Sequence, residues 1–284
     1  MEPLREQLLE ISGARINYVR CGTGSPLVFL HNGGGFWQSW EKQVRYFSQT
    51  HDCIAFDWPG FGKSTQQGET AITLDFYTRC LHEVLKQLGV SHTSLIGNCI
   101  GASVAIQYKQ LYPQRVNKLI VQNICPGRRI FPNTFTAKLI GAVSKKKLLR
   151  RAGINVFAFL LPRPPMKNKS PRILFGKNYN AADPLVEMYN VAFARPAISH
   201  SRAVMLFDVD SFTLADFLRP GFDNGNVTLL WGKENNVAGF EKEGRYHQQL
   251  LGLATMLPVE SGGHLCMYEC PESVNETITA ILHK

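Results

Sequence analysis

The sequence predicts an α/β fold: a mostly parallel sheet flanked by helices and interrupted by one helical insertion. Three observations carry that reading. Short apolar runs of the kind buried on both faces of a sheet recur along the chain: "PLVFL" (26–30), "CIAFD" (53–57), "TSLIG" (93–97) and "KLIVQN" (118–123). Stretches with helical spacing follow them, and strand–helix alternation is how parallel strands are connected. The alternation then stops over 126–222 and resumes with "VTLLWG" (227–232).

Taken in order, "LLEISGARINYVRCG" reads as a hairpin turning around Ser12 and Gly13. The runs at 26–30 and 53–57 are the first buried strands. In "ITLDFYTRCLHEVLKQLG", Leu74, Tyr77, Leu81, Val84, Leu85 and Leu88 share one helix face, and Gly89 ends the helix. Residues 93–97 form a strand, 100–112 a helix that stops before Pro113, and 118–123 the next strand. After the interruption come a strand at 227–232, a helix at 239–251, a strand at 254–259 and a final helix at 271–283. The expected organisation is a core of residues 1–125 and 223–284. Residues 126–222 should form a helical lid over the carboxyl ends of the strands, where such sheets bind ligands.

Composition narrows the class. The 284 residues are 44% hydrophobic and 19% charged, as in ordinary globular proteins. The longest clean apolar run, "VFAFLL" (156–161), is too short to cross a bilayer, and "MEPLREQLLE" has no apolar signal core. Seven cysteines, an odd number with no C-x-x-C pair, suit a reducing compartment, so a cytoplasmic protein is expected. No metal-ligand pattern appears and no cofactor is expected. The net charge of +9 is concentrated: residues 126–222 hold 16 Lys and Arg against 5 Asp and Glu, and the remainder hold 15 against 17.

The chemistry centres on "TSLIGNCIGAS" (93–103). A strand runs into Gly97-Asn98-Cys99-Ile100-Gly101, and a helix follows. A sharp turn of this kind exposes its central residue, and the helix N-terminus favours a thiolate there. "HNGGG" (31–35) follows the strand at 26–30 and presents backbone N–H groups suited to an oxyanion; Gly33 is one expected donor and the N–H of Ile100 the other. "DWPGFGKS" (57–64) lacks Walker spacing and reads as scaffold. "SGGHLCMYECPE" (261–272) sets His264 after the last strand, where a general base belongs.

Together these motifs resemble the α/β-hydrolase superfamily, over residues 1–125 and 223–284. The resemblance implies an α/β-hydrolase fold with an eight-stranded, mostly parallel sheet and a lid. It also implies an attacking elbow residue, a late His base, and an acid after the "WG" strand that orients the His. The sequence departs twice: the nucleophile is Cys99, and the acid position in "WGKENN" (231–236) is Asn235, with Glu234 beside it. The alternative acid position, at the end of strand 118–123, is Asn123. A thiol, with a reference pKa of about 8.5, is deprotonated by a His far more readily than a serine hydroxyl, so an amide can suffice as orienting group. The expected set is Cys99–His264–Asn235, with Glu234 as the rival orienting residue.

A cysteine elbow resembles that of polyhydroxyalkanoate synthases and Cys-type thioesterases. It implies acyl transfer or thioester cleavage through a thioester on Cys99. The small-molecule acyl substrate would arrive on an acyl carrier protein or coenzyme A, with "SKKKLLRR" (144–151), "PRPPMKNKS" (162–170), Arg128 and Arg129 as anionic contacts. Phe157, Phe159, Leu160, Phe193 and Phe207 either line an acyl pocket or pack the lid. Two rival functions remain: a carboxylic ester or lactone hydrolase, and an inactive binding protein of the same fold. No nucleic-acid motif is present. Contact with an acidic membrane surface is compatible with the basic residues around Leu148 and Leu149.

Overall fold

The computed structural model describes residues 3–66, 71–130, 134–163 and 166–283. The hairpin forms from β1 (Glu6–Ile11) and β2 (Ala14–Cys21), registered Glu6 to Val19. The apolar runs become β3 (Pro26–Leu30), β4 (Asp52–Phe56), β6 (Thr93–Asn98) and β7 (Val116–Gln122), each almost wholly buried, as a sheet covered on both faces requires. β8 (Val227–Gly232) and β9 (Leu257–Val259) complete the parallel half, and β9 is shorter than its apolar run suggests. Among the described residues the sheet has nine strands in the order β1-β2-β4-β3-β6-β7-β8-β9, with β5 (Thr65–Gln66) paired antiparallel to β2. The sequence count of eight missed β5, because two residues are too few to show a period.

Helices α1 (Glu41–Phe47), α2 (Leu74–Gln87) and α3 (Ile100–Leu111) lie in the first half of the chain. Thr73 starts α2 by accepting the Phe76 N–H at 3.2 Å. The apolar face of α2 is buried, with Tyr77 stacked on Trp58 at 4.9 Å between ring centroids. Between β7 and β8 the elements among the described residues are helices: α4 (Thr134–Ser144), α5 (Lys147–Leu160), α6 (Met166–Phe175), α7 (Pro184–Ala194), α8 (Pro196–Phe207) and the short α9 (Leu214–Phe217), with 3-10 turns between. The predicted helix at 239–251 is split into a π-turn (Phe240–Gly244) and α10 (Arg245–Leu250). α11 (Cys266–Glu269) and α12 (Pro271–Leu282) close the chain.

This topology brings five chain segments to one edge. The carboxyl ends of β3, β6, β7, β8 and β9 open into residues 31–35, 99, 123–125, 233–235 and 261–264 respectively. The parallel registers Leu30↔Gly97, Asn98↔Gln122, Gln122↔Leu230 and Gly232↔Val259 place these loops side by side. Among the described residues no helix is long and apolar enough to cross a membrane.

Candidate active site

Cys99 stands between β6 and α3 at φ 57° and ψ −114°, a left-handed backbone that a side-chain-bearing residue adopts only under constraint. Two glycines supply the constraint. A Cβ on Gly97 would lie 2.5 Å from the Gly101 carbonyl oxygen, and one on Gly101 would lie 2.4 Å from the Leu30 carbonyl oxygen. The strand, turn and helix therefore close on each other without room for side chains, and Cys99 is held at the tip. Its main chain is anchored on β7: its N–H donates to Gln122 O at 3.0 Å, and its own carbonyl accepts from Cys125 N–H at 3.3 Å.

The Cys99 thiol is 8% exposed for its residue and faces three groups. Its pKa lies well below the usual thiol value. The largest cause is a hydrogen bond from the Cys125 thiol; burial opposes it, and a hydrogen bond and charge from His264 and the Gly33 N–H add to it. Cys125 is pushed the other way, by that same bond and by burial. Within the pair, Cys99 is the thiol held toward the anion and Cys125 the one held toward the protonated form: Cys99 has the helix N-terminus, His264 and the Gly33 amide, and Cys125 only the Gly127 amide. The sequence singled out Gly33, Cys99 and His264 separately, and the fold brings them together. Cys125 stands in no motif; its signal is its place just beyond the strand paired with the elbow strand.

His264 is buried, and its backbone is gripped from several sides. Asn98 Nδ2 and Asn123 Nδ2 both donate to its carbonyl, each at 3.1 Å. The Glu269 carboxylate accepts from Gly263 N–H at 2.7 Å and Leu265 N–H at 3.2 Å, and His264 N–H donates to Leu174 O in α6 at 3.2 Å. Asn123, at φ 45°, also accepts the Gly232 N–H at 3.0 Å, so one amide ties the ends of β7 and β8 to the His loop.

The imidazole itself lacks the expected orienting bond. His264 Nδ1 is buried with no hydrogen-bond partner among the described residues, and Asn235 Nδ2 is likewise unpartnered. Asn235 Oδ1 accepts from Val237 N–H at 2.9 Å and Ala238 N–H at 3.1 Å. The expectation of Asn235 as acceptor for the imidazole is therefore corrected: its oxygen caps the turn after β8, which leaves only a donor. The rival Glu234 is no substitute, since its carboxylate pairs with Lys177 at 2.7 Å.

α7 and α8 lie over the oxyanion turn. A Cβ on Gly33 would meet Met205 Sδ at 2.7 Å and Ile100 Cγ2 at 3.6 Å, and one on Gly34 would meet Phe193 and the Arg202 stem. Tyr189 donates its hydroxyl to Asn32 Oδ1 at 3.0 Å and contacts Ser39 Oγ at 3.1 Å; burial pushes its pKa up to about 12. His31 in the same turn is neutral, its pKa lowered to about 3 by burial, and it accepts the Trp58 N–H at 3.0 Å. Ile100 opens α3, whose N-terminus no side chain caps.

Three other expectations concern the segment between β7 and β8. Arg128 pairs with Asp216 and Arg129 with Glu243, so neither is an idle anion contact. Phe193 and Phe207 are buried, whereas Phe159 and Leu160 project outward. Of the two basic stretches, 162–170 lies largely outside the described side chains, and Lys145, Lys146 and Lys147 are exposed.

The fold and this edge of the sheet define the class: the chain is an α/β-hydrolase-fold protein. A family model described as alpha/beta hydrolase fold matches residues 25–151. Epoxide hydrolase 4 of Mus musculus is 26% identical over 296 residues, covering 95% of this chain and 77% of that protein. A 2-hydroxy-6-oxononadienedioate/2-hydroxy-6-oxononatrienedioate hydrolase of Burkholderia vietnamiensis is 35% identical over 112 residues, which is 38% of this chain and 39% of that protein. Among solved structures, the alpha/beta hydrolase MGS-M2 from a Medee basin deep-sea metagenome library superposes with a TM-score of 0.77 at 17% identity, covering 98% of both chains. A thermophilic esterase from Thermogutta terrifontis gives 0.70 at 19% identity, also covering 98% of both. At these identities the structural likenesses establish the fold.

Proposed function

We propose that this protein is a hydrolase of carboxylic acyl substrates, of the ester or lactone class, working through a thioester on Cys99. The observation that carries the reading is the low-pKa Cys99 thiol, set at the elbow against His264 and the Gly33 N–H. The Cys99 thiolate attacks the acyl carbonyl, and the C=O electron pair moves onto oxygen, where the N–H groups of Gly33 and Ile100 receive it. Collapse breaks the bond to the leaving oxygen, which takes a proton from His264. Water then attacks the thioester while His264 accepts its proton, and Cys99 leaves as thiolate with release of the acid. Asn235 has no part in these steps; the amides that matter hold the His264 backbone. The helices between β7 and β8 act as the lid.

Likeness to epoxide hydrolases supports hydrolytic chemistry, but the nucleophile argues against epoxide turnover. A thiolate that opens an epoxide forms a thioether, and a thioether has no carbonyl at which water can release it. Carbonyl substrates avoid that dead end. A second reading, transfer of the acyl group from a carrier-bound or coenzyme-A thioester, is favoured by the sulfur itself, since an S-acyl intermediate exchanges with thiols and amines.

Intact-mass spectrometry with p-nitrophenyl esters, lactones and acyl-coenzyme A thioesters tests both. Hydrolysis predicts an acyl adduct on wild type, none on Cys99→Ala, and decay in plain buffer. Transfer predicts an adduct that persists until a thiol or amine is added. Turnover by Cys99→Ala at the wild-type rate would overturn the assignment.

A further inference from the structure

We propose that the outer face of α4 and α5 docks on an anionic phospholipid bilayer. α5 turns an apolar stripe to solvent: Leu148 is 83% exposed, Leu149 50%, Val156 55%, Phe159 58% and Leu160 40%. At about 100° per residue these five side chains fall within about 120° of the helix circumference. The opposite side supplies the packing, with Ile154 buried and Phe157 edge-on to Phe207 of α8 at 5.7 Å. The stripe is thus additional to the face that holds α5 on the molecule. α4, packed beside α5, also exposes Phe135 (73%) and Leu139 (53%). A surface helix normally carries charges on its outer face, and a contiguous apolar face there marks an interaction surface.

Charge selects the occupant. Residues 126–182 contain 13 Lys and Arg and no Asp or Glu; Arg128, Arg129, Arg150 and Lys177 pair with acids from elsewhere in the chain, whereas Lys145, Lys146 and Lys147 lie outside those pairs. Lys145, Lys146 and Lys147 are exposed at the amino end of the stripe, and at its carboxyl end the Arg163 guanidinium lies 3.4 Å from the Phe159 ring centroid. A second copy of the chain would present the same positive segment, so pairing copies through this face sets like charges against each other. An apolar stripe bordered by lysines and arginines has the form of a helix lying in the headgroup region, its leucines and phenylalanines in the acyl boundary and its cations on anionic headgroups. The surface sits on the helical layer that covers Gly33 and Gly34, because α5 packs on α8 and α8 carries Met205.

The test is co-sedimentation of the full chain with phosphatidylcholine vesicles and with mixed phosphatidylcholine–phosphatidylglycerol vesicles at low and high salt. Wild type should partition at least tenfold more strongly to the anionic vesicles, and salt should reduce the difference. Leu148→Glu combined with Phe159→Glu should weaken partition at least tenfold. Lys145→Glu with Lys146→Glu should abolish the preference for phosphatidylglycerol. All four positions are exposed, so the melting temperature and Cys99 labelling should match wild type. The proposal is overturned if wild type stays in the supernatant with anionic vesicles, or if the variants partition as wild type does. It is also overturned if sedimentation velocity shows wild-type self-association that the Leu148/Phe159 variant loses, which would assign the face to a second copy.

Discussion

Replacing Cys125 by alanine should make Cys99 a weaker thiolate without disturbing the elbow. The Cys125 thiol is the strongest influence holding the Cys99 pKa down. A hydrogen bond to a charged group contributes roughly 1.5–3 kcal/mol, and a thiol is a weaker donor than N–H or O–H, so about 1 kcal/mol is at stake. At pH values below the Cys99 midpoint that corresponds to roughly fivefold slower thiolate chemistry. The assay is iodoacetamide alkylation, followed peptide by peptide so that Cys99 is read apart from the other six cysteines. Its rate-versus-pH curve should move to higher pH in Cys125→Ala. Cys125→Ser keeps a donor and should recover most of the wild-type curve, while His264→Ala should also move it upward, since His264 likewise lowers the pKa. If Cys125→Ala leaves the curve in place, or Cys125→Ser behaves like alanine, the thiol pair does not set the reactivity of Cys99.

Asn235→Ala removes the acceptor for two turn N–H groups and should cost ~1–2 kcal/mol of stability, with Cys99 acylation within about twofold of wild type. Lost acylation at unchanged stability would restore a role on the imidazole. Asn123→Ala unties the His264 carbonyl from β7 and should slow acylation more than Asn235→Ala does, read by stopped-flow release of p-nitrophenol. A terminal aliphatic epoxide should inactivate the protein with one stable adduct on Cys99; steady diol production instead would refute the thioether argument. His31 is neutral in the fold, with its pKa lowered from 6.5 to about 3, so its contribution to stability is present above pH 6.5 and lost as pH falls toward 3. Two pH units below 6.5 amount to at most ~2.7 kcal/mol. In denaturant melts the stability gap between wild type and His31→Gln should narrow by up to that amount from pH 6.5 to 4.5. Taking the difference separates His31 from Asp57, whose burial raises its pKa to about 6 and acts in the opposite direction.

The parallel strands were legible because burial on both faces leaves continuous apolar runs, and Gly97 and Gly101 were legible because the turn admits no Cβ. Cys99, His264 and Gly33 each stand next to a strand end, so reading the strands was enough to gather them. Residues that act through tertiary contacts gave no such signal. Cys125 has no motif around it, and its meaning comes only from β6 and β7 being neighbours. Glu269 reads as a helix residue until its carboxylate is seen to clamp the N–H groups on either side of His264. The fate of the Asn235 oxygen was likewise hidden, because a turn that needs an acceptor and a ring that needs one look alike in sequence.

That last point alters the relation between the two departures at the site. A thiol for a hydroxyl and an amide for a carboxylate suggest a simple exchange of orienting groups around the imidazole. The hydrogen bonds give another division of labour. Asn98 and Asn123 fix His264 by its carbonyl and Glu269 fixes it by the flanking amides, so the main chain is anchored without any bond to Nδ1. What a carboxylate on Nδ1 would add is electrostatic support for an imidazolium while a proton leaves an alcohol. With Cys99 already held toward the thiolate by Cys125, Gly33 and His264, less of that support is required in the attacking step. In the proposed mechanism the cost falls on deacylation, where water must give up a proton to an unsupported ring. Acylation should therefore be the fast step and thioester hydrolysis the slow one, and burst kinetics with an activated ester would show it.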